Sequence, residues 1–143
     1  MYDTGTWFVG VNGTVTDGED TSNGQPLSTI MPDNVAATIG LRLLDGRMTL
    51  SARWVAVAAV TAADLPTDSV YDPTGSFNLV SLYASYSPSE NVRAAVSVEN
   101  LLNEQYTQYQ QFLPSAGLTF KGSLTIKFGD GHLAALSPTG FQK

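Results

Sequence analysis

Few residues in this sequence could carry covalent chemistry. The 143 residues include no cysteine and one histidine, His132. A thiolate nucleophile, a disulfide framework and a cysteine-based zinc site are excluded on that count. A lone imidazole cannot make a histidine-rich metal site. No nucleophile–base pair can be assembled, so the expected protein is not an enzyme. Glu90 and Glu99 form no evident pair of catalytic carboxylates. Asp17, Glu19 and Asp20 have the chemistry of calcium ligands but lack the spacing and glycine placement of a calcium loop, and read as solvated charges.

Non-covalent recognition is better supplied. Tyr106, Tyr109 and Phe112 share one polar stretch. Their rings could stack on a flat ligand or a partner protein, or they could pack that stretch onto the body of the fold. Arg42, Arg53, Arg93, Lys121 and Lys127 could face anionic groups or pair with the chain's own acids. The formal net charge of −6 argues against nucleic acid as a partner, because phosphate binding needs a cationic surface.

The elements that must position these residues are strands. Alternation with a period of two recurs about six times, and no helical periodicity lasts beyond a turn or two. From 118 to 128, Leu118, Phe120, Leu124, Ile126 and Phe128 oppose Thr119, Lys121, Ser123, Thr125 and Lys127. A strand separates such sets because successive side chains point to opposite faces. The same pattern marks 92–99, 80–86, 48–54, 37–43 and, less regularly, 7–15. Leu44-Asp45-Gly46 and Ser87-Pro88-Ser89-Glu90-Asn91 read as short turns, the first with Asp-Gly supplying positive φ. The other links, roughly 17–34, 58–75 and 102–117, are long and polar.

The polarity pattern points to lipid as the partner of the apolar faces. Hydrophobic residues make up 43% of the chain and charged ones 14%, against about 25% charged in soluble domains. With flanking residues such as 77–79 the strands reach the length of about 9–11 residues that a tilted membrane strand needs. Aromatics fall towards strand ends: Trp7, Tyr86 and Phe128 at the short-turn end, and Phe77, Trp54 and Phe120 at the other. All five basic residues named above take the polar faces, and most of the acids gather in the long links. The longest near-unbroken apolar run, 54–63, is far short of the roughly 20 residues of a spanning helix. The first residues show no export signal. The expected fold is all-β, an antiparallel up-and-down transmembrane β-barrel segment of about six strands. The alternative is a small soluble β-sandwich or barrel acting as a binding module.

From 98 to 106 the sequence reads V-E-N-L-L-N-E-Q-Y. This resembles the Asn-Leu-Phe-Asp-x-x-Tyr box before the last external loop of TonB-dependent outer-membrane receptors. Asn100, Leu101, Asn103 and Tyr106 match, with Leu102 in place of Phe and Asn103 in place of Asp. The run L-V-S-L-Y-A-S-Y at 79–86 resembles the family's preceding strand. The run P-S-A-G-L-T-F at 114–120 resembles its Pro-x-x-Gly-Arg-x-Phe approach to the final strand, with Leu118 in place of Arg. Pro32 before the 37–43 strand resembles the approach to an earlier hairpin. The resemblance covers about residues 5–128, and order and spacing lean towards the haem or haemoglobin receptor branch.

The resemblance implies a division into a barrel portion, 1–128, and a C-terminal tail, 129–143. It implies a Gram-negative outer-membrane location and import of an iron-bearing ligand, haem included, as transported substrate, with no cofactor bound by this segment. The partners it implies are outer-membrane lipid, an N-terminal plug, the remaining strands of a barrel of about 22, and TonB acting through the plug. Tyr106, Tyr109 and Phe112 become candidate ligand contacts in an external loop. Arg42, Arg53, Arg93, Lys121 and Lys127 become lumen-facing. His132 lies beyond the last strand and is assigned no haem ligation. About six strands cannot close a barrel, so the chain is expected to be an excerpt or a truncated product. A structural outer-membrane barrel without transport is the remaining alternative.

Overall fold

The computed structural model describes residues 1–128. Nine strands follow one another: β1 (Tyr2–Asp3), β2 (Trp7–Thr14), β3 (Glu19–Asp20), β4 (Gln25–Pro26), β5 (Asn34–Leu43), β6 (Met48–Val57), β7 (Phe77–Ser89), β8 (Val92–Glu99) and β9 (Thr119–Ile126). Seven of them form one antiparallel sheet in the order β1-β2-β5-β6-β7-β8-β9, and β3 and β4 make a separate small hairpin. The sheet is open, with β1 and β9 at its two edges.

Register turns the alternation within each strand into two coherent faces. Val9, Ile39, Ala52, Leu82, Val98 and Phe120 stand opposite one another in a row across six strands. One residue along, Phe8, Gly40, Ser51, Tyr83, Ser97 and Lys121 form the matching row of the other face. A one-residue slip in any strand would break both rows, so the hydrophobic pattern itself fixes the register.

The apolar face has no partner among the described residues. The substantial contacts between elements all join sheet neighbours, and no second layer packs on either face. Ile39 is 56% exposed, Val96 59% and Leu124 65%. The buried hydrophobic residues, Ala36, Val60, Phe77 and Tyr109, gather instead at the end of the sheet where the long connections lie. A sandwich buries its apolar rows between two sheets, so this alternative is not what the chain adopts. The fold is all-β and antiparallel, in keeping with a segment of barrel wall.

The connections keep the expected rhythm. The β5–β6 turn runs through Leu44, Asp45 and Gly46, all at positive φ, and Gly46 N donates to the Leu43 carbonyl at 3.1 Å. Positive φ at both central residues is the mirror-image turn that suits the twist of a hairpin. β7 extends to Ser89 through an irregularity after Tyr86, leaving two residues before β8. The three long connections, 15–33, 58–76 and 100–118, all leave from the opposite end.

One aromatic is corrected. Phe77 was expected among the aromatics of the lipid-side rim. Register pairs it with Val57 and puts it on the polar face, where it is 6% exposed. Its ring lies 4.2 Å from that of Tyr106, centroid to centroid. Trp7, Trp54, Tyr86 and Phe120 do lie on the apolar face, and the Tyr2 ring lies tilted against that of Trp7, 5.3 Å between centroids.

Candidate ligand-binding site

The loop between β8 and β9 is shaped by two asparagines. Asn100 ends β8 at a φ of 52° and is buried. Its Nδ2 donates to the carbonyls of Glu104 and Ala116, at 2.9 and 3.2 Å, and its Oδ1 accepts from Glu104 N at 2.9 Å. One side chain thus holds both limbs of the loop, as expected for an amide at a strand exit. Asn103, at a φ of 51°, accepts from Leu118 N through Oδ1 at 3.0 Å and fixes the approach to β9. A Cβ at Gly117 would run into that same oxygen, so glycine there is a packing requirement. The Asn, Asn and Gly of the motif therefore have structural work that their types explain.

The tyrosine of the box, Tyr106, folds over Phe77 on the polar face, and its carbonyl accepts from Ser115 N at 2.8 Å. Tyr109 is 4% exposed and donates its hydroxyl to the Ser28 carbonyl at 2.6 Å. Gln110 donates to the same carbonyl through Nε2 at 3.1 Å. These bonds pin loop 100–118 to loop 15–33. Burial pushes the Tyr109 phenol above its ordinary pKa, so it remains a donor at neutral pH. Tyr71 from the middle loop packs edge-on to Tyr109 at 5.7 Å and stacks with Phe112 at 6.1 Å. An aromatic series thus leads from buried Tyr109 through Tyr71 to Phe112, which is 75% exposed.

Between the middle and last loops lies a cleft of about 550 Å³, within the range of small-molecule sites. Tyr106 and Phe112 line it, together with Tyr71, Asp72, Gln105, Gln110 and Gln111. Tyr109 does not line it; its ring braces the loop. Of the three expected contact residues, two therefore reach the cleft and one holds the loop. The sequence reading missed Tyr71. It lies among Asp, Pro, Ser and Gly, and nothing local marks it as a neighbour of Phe112.

Four of the five expected basic residues fall on one surface. Arg42, Arg53, Arg93 and Lys121 all occupy the polar face by register. Lys127 follows β9, and its backbone N donates to the Asn91 carbonyl at 2.8 Å. Arg42 makes a two-pronged pair with Asp3 at 2.7 and 2.8 Å, and its guanidinium lies 4.7 Å over the Phe8 ring. Phe8 in turn covers Gly40, where a Cβ would strike its ring. Lys121 pairs with Glu99 at 2.6 Å. Among the described residues Arg53, Arg93 and Lys127 have no ion pair.

Half of the eight acids of the long loops, Asp17, Asp20, Asp33 and Asp64, accept hydrogen bonds from loop backbone. Asp33 accepts from Thr16 N at 3.0 Å. Asp64 accepts from the Thr61 N–H and hydroxyl, which hold its carboxyl below the usual range. Hydrogen bonds from Ser22 do the same for Asp20. No group of three or more potential metal ligands occurs among the described residues. His132 lies outside them.

A family model described as "TonB dependent receptor-like, beta-barrel" matches residues 2–101. Comparison with curated proteins gives no match. Among solved structures 18 chains match. One of them, "Copper transporter OprC", has a TM-score of 0.75 at 20% identity, over 89% of this chain and 22% of its own length. Likeness at that identity speaks for the fold alone.

Proposed function

This chain belongs to the TonB-dependent receptor-like β-barrel family, and we propose that it forms wall and external loops of an energised importer in a Gram-negative outer membrane. The observation that carries the reading is the continuous apolar row across six strands, exposed on one side of a sheet whose other side holds the basic residues. In lipid such a face is satisfied without a second layer, and the alternating strands keep every cation off it. The polar face then lines the lumen, with Arg42, Arg53, Arg93, Lys121 and Lys127 towards the plug and towards passing solute. The long loops face outwards and meet the cargo first.

The mechanism in this reading divides labour. Ligand is held by loops and plug, TonB draws on the plug, and the wall stays passive. Remaining barrel strands pair with the free edges of β1 and β9, since an unpaired edge in hydrocarbon leaves backbone groups unsatisfied. The cargo proposed is an iron-bearing ligand, with haem as the first candidate; support for it comes from the order of the motifs at 79–120.

The test is uptake of haemin by cells that make the full chain, with TonB present or deleted. Haemin-supported growth that needs both the chain and TonB is the expected result. Haemin uptake indifferent to TonB would contradict the reading. A protein present in the outer membrane with no TonB-dependent uptake of haemin or of copper, the cargo in OprC's name, would favour a purely structural barrel.

A further inference from the structure

We infer that the cleft between the middle and last loops binds an uncharged, hydroxyl-bearing ring of the sugar type and does not hold anionic groups. This rests on the reading of these loops as outward-facing, and it concerns a second, neutral ligand beside the haem proposed as cargo.

Charge makes the first selection. Among the described residues lining the cleft there is no Lys, Arg or His, and Asp72 contributes a carboxylate. Carboxylates and phosphates are held by guanidinium and ammonium groups. The cations are on the wall below: Arg42 and Lys121 are paired with Asp3 and Glu99, and Arg53, without an ion pair among the described residues, lines a separate cavity with Tyr106 and Glu99. An anion entering the cleft would lose hydration, find no counter-charge and face Asp72.

Shape and hydrogen bonding make the second. Phe112 offers an exposed ring stacked on Tyr71 with 25° between the planes, and buried Tyr109 braces Tyr71 from behind. A ring with an apolar C–H face and an equatorial belt of hydroxyls packs on such a platform. The belt then meets Gln105, Thr107, Ser76 and Asp72. Their side chains make no hydrogen bond within the described residues, so their capacity is unspent. A side-chain amide both donates and accepts, as a sugar hydroxyl does. A purely apolar ligand would leave these groups unpaired, at a cost in affinity.

The test uses the full chain in outer-membrane vesicles from cells that make it. Equilibrium dialysis is run with maltotriose, cellotriose and chitotriose as neutral probes and haemin as the anionic one. At least one trisaccharide is expected to bind, with about tenfold weaker binding after Phe112→Ala. Gln105→Ala is expected to weaken it several-fold, and neither substitution should change haemin binding. Phe112 is exposed, so the wall should stay folded, and the Phe112→Trp variant should retain the sugar. Failure of all three trisaccharides to bind folded protein would overturn the inference. So would binding indifferent to both alanine variants, or haemin binding lost through them. None of these measurements requires TonB. Sugar binding lost in Phe112→Ala, alongside TonB-independent uptake, would remove the import reading and leave the cleft standing. TonB-dependent uptake without sugar binding would remove the cleft alone.

Discussion

Asn100 carries more of the loop architecture than any other single side chain. Its amide serves two carbonyls and one N–H on the two limbs of the loop, and it is buried while doing so. Replacing it with alanine leaves those backbone groups to find other partners. Asn100→Ala should therefore lower stability by about 1–3 kcal/mol, read as a shift in the urea midpoint in detergent, with the last loop becoming the first site of proteolysis. An unchanged midpoint and cleavage pattern would show that the amide is dispensable. The sequence marks Asn100 through its place in the motif at 98–106, and an asparagine at a strand exit commonly bonds nearby backbone. Tyr109 was not legible in the same way. Its hydroxyl acceptor, Ser28, is 81 residues distant, and whether a loop tyrosine is a ligand platform or a buried pin depends on that partner alone. The pairing of Tyr71 with Phe112 was hidden for the same reason, since it joins two different loops.

At the scale of elements, the strands were plain because one physical rule governs both faces: apolar and polar residues must alternate wherever one side meets a greasy surroundings and the other does not. The rule also exposes the error at Phe77. Extending the 80–86 strand backwards was right, but Phe77 has the parity of Tyr83, not of Leu82, and so belongs to the polar face. There it finds Tyr106 and closes the small core beneath the loops. The β3–β4 hairpin and the 3₁₀ turn at Ala62–Asp64 left no periodic signal, being too short to show one. The β5–β6 turn was half legible. Asp45 and Gly46 signal positive φ, whereas Leu44, at a φ of 54°, does not. A leucine held there meets the Cβ crowding that disfavours left-handed backbone in L-residues. Leu44→Asn should stabilise the protein by about 1 kcal/mol, measured as a higher urea midpoint with the same slope. A lower midpoint would mean that the leucine side chain makes a contact worth more than its strained backbone.

The whole molecule is a wall with one dry side. Its apolar rows run unbroken from β2 to β9, its strand-borne basic residues lie behind them, and most of its acids sit in the loops at one end. That distribution is what separates a membrane wall from half of a soluble sandwich, in which the rows would be covered by a second sheet. The absence of cysteine allows single thiols to be placed at will. The most direct test therefore substitutes cysteine along β7 and β8 of the full chain in native membranes, at positions 82, 84, 96 and 98 on the apolar face and 81, 83, 85 and 97 on the polar one. Each thiol is labelled with a fluorophore for quenching by brominated lipid, and in parallel challenged with a water-soluble maleimide. Lipid quenching at the first set and maleimide reaction at the second, alternating residue by residue, is the predicted result. Protection of positions 82, 84, 96 and 98 from lipid and water alike would mean that protein covers the apolar rows, and would contradict the account.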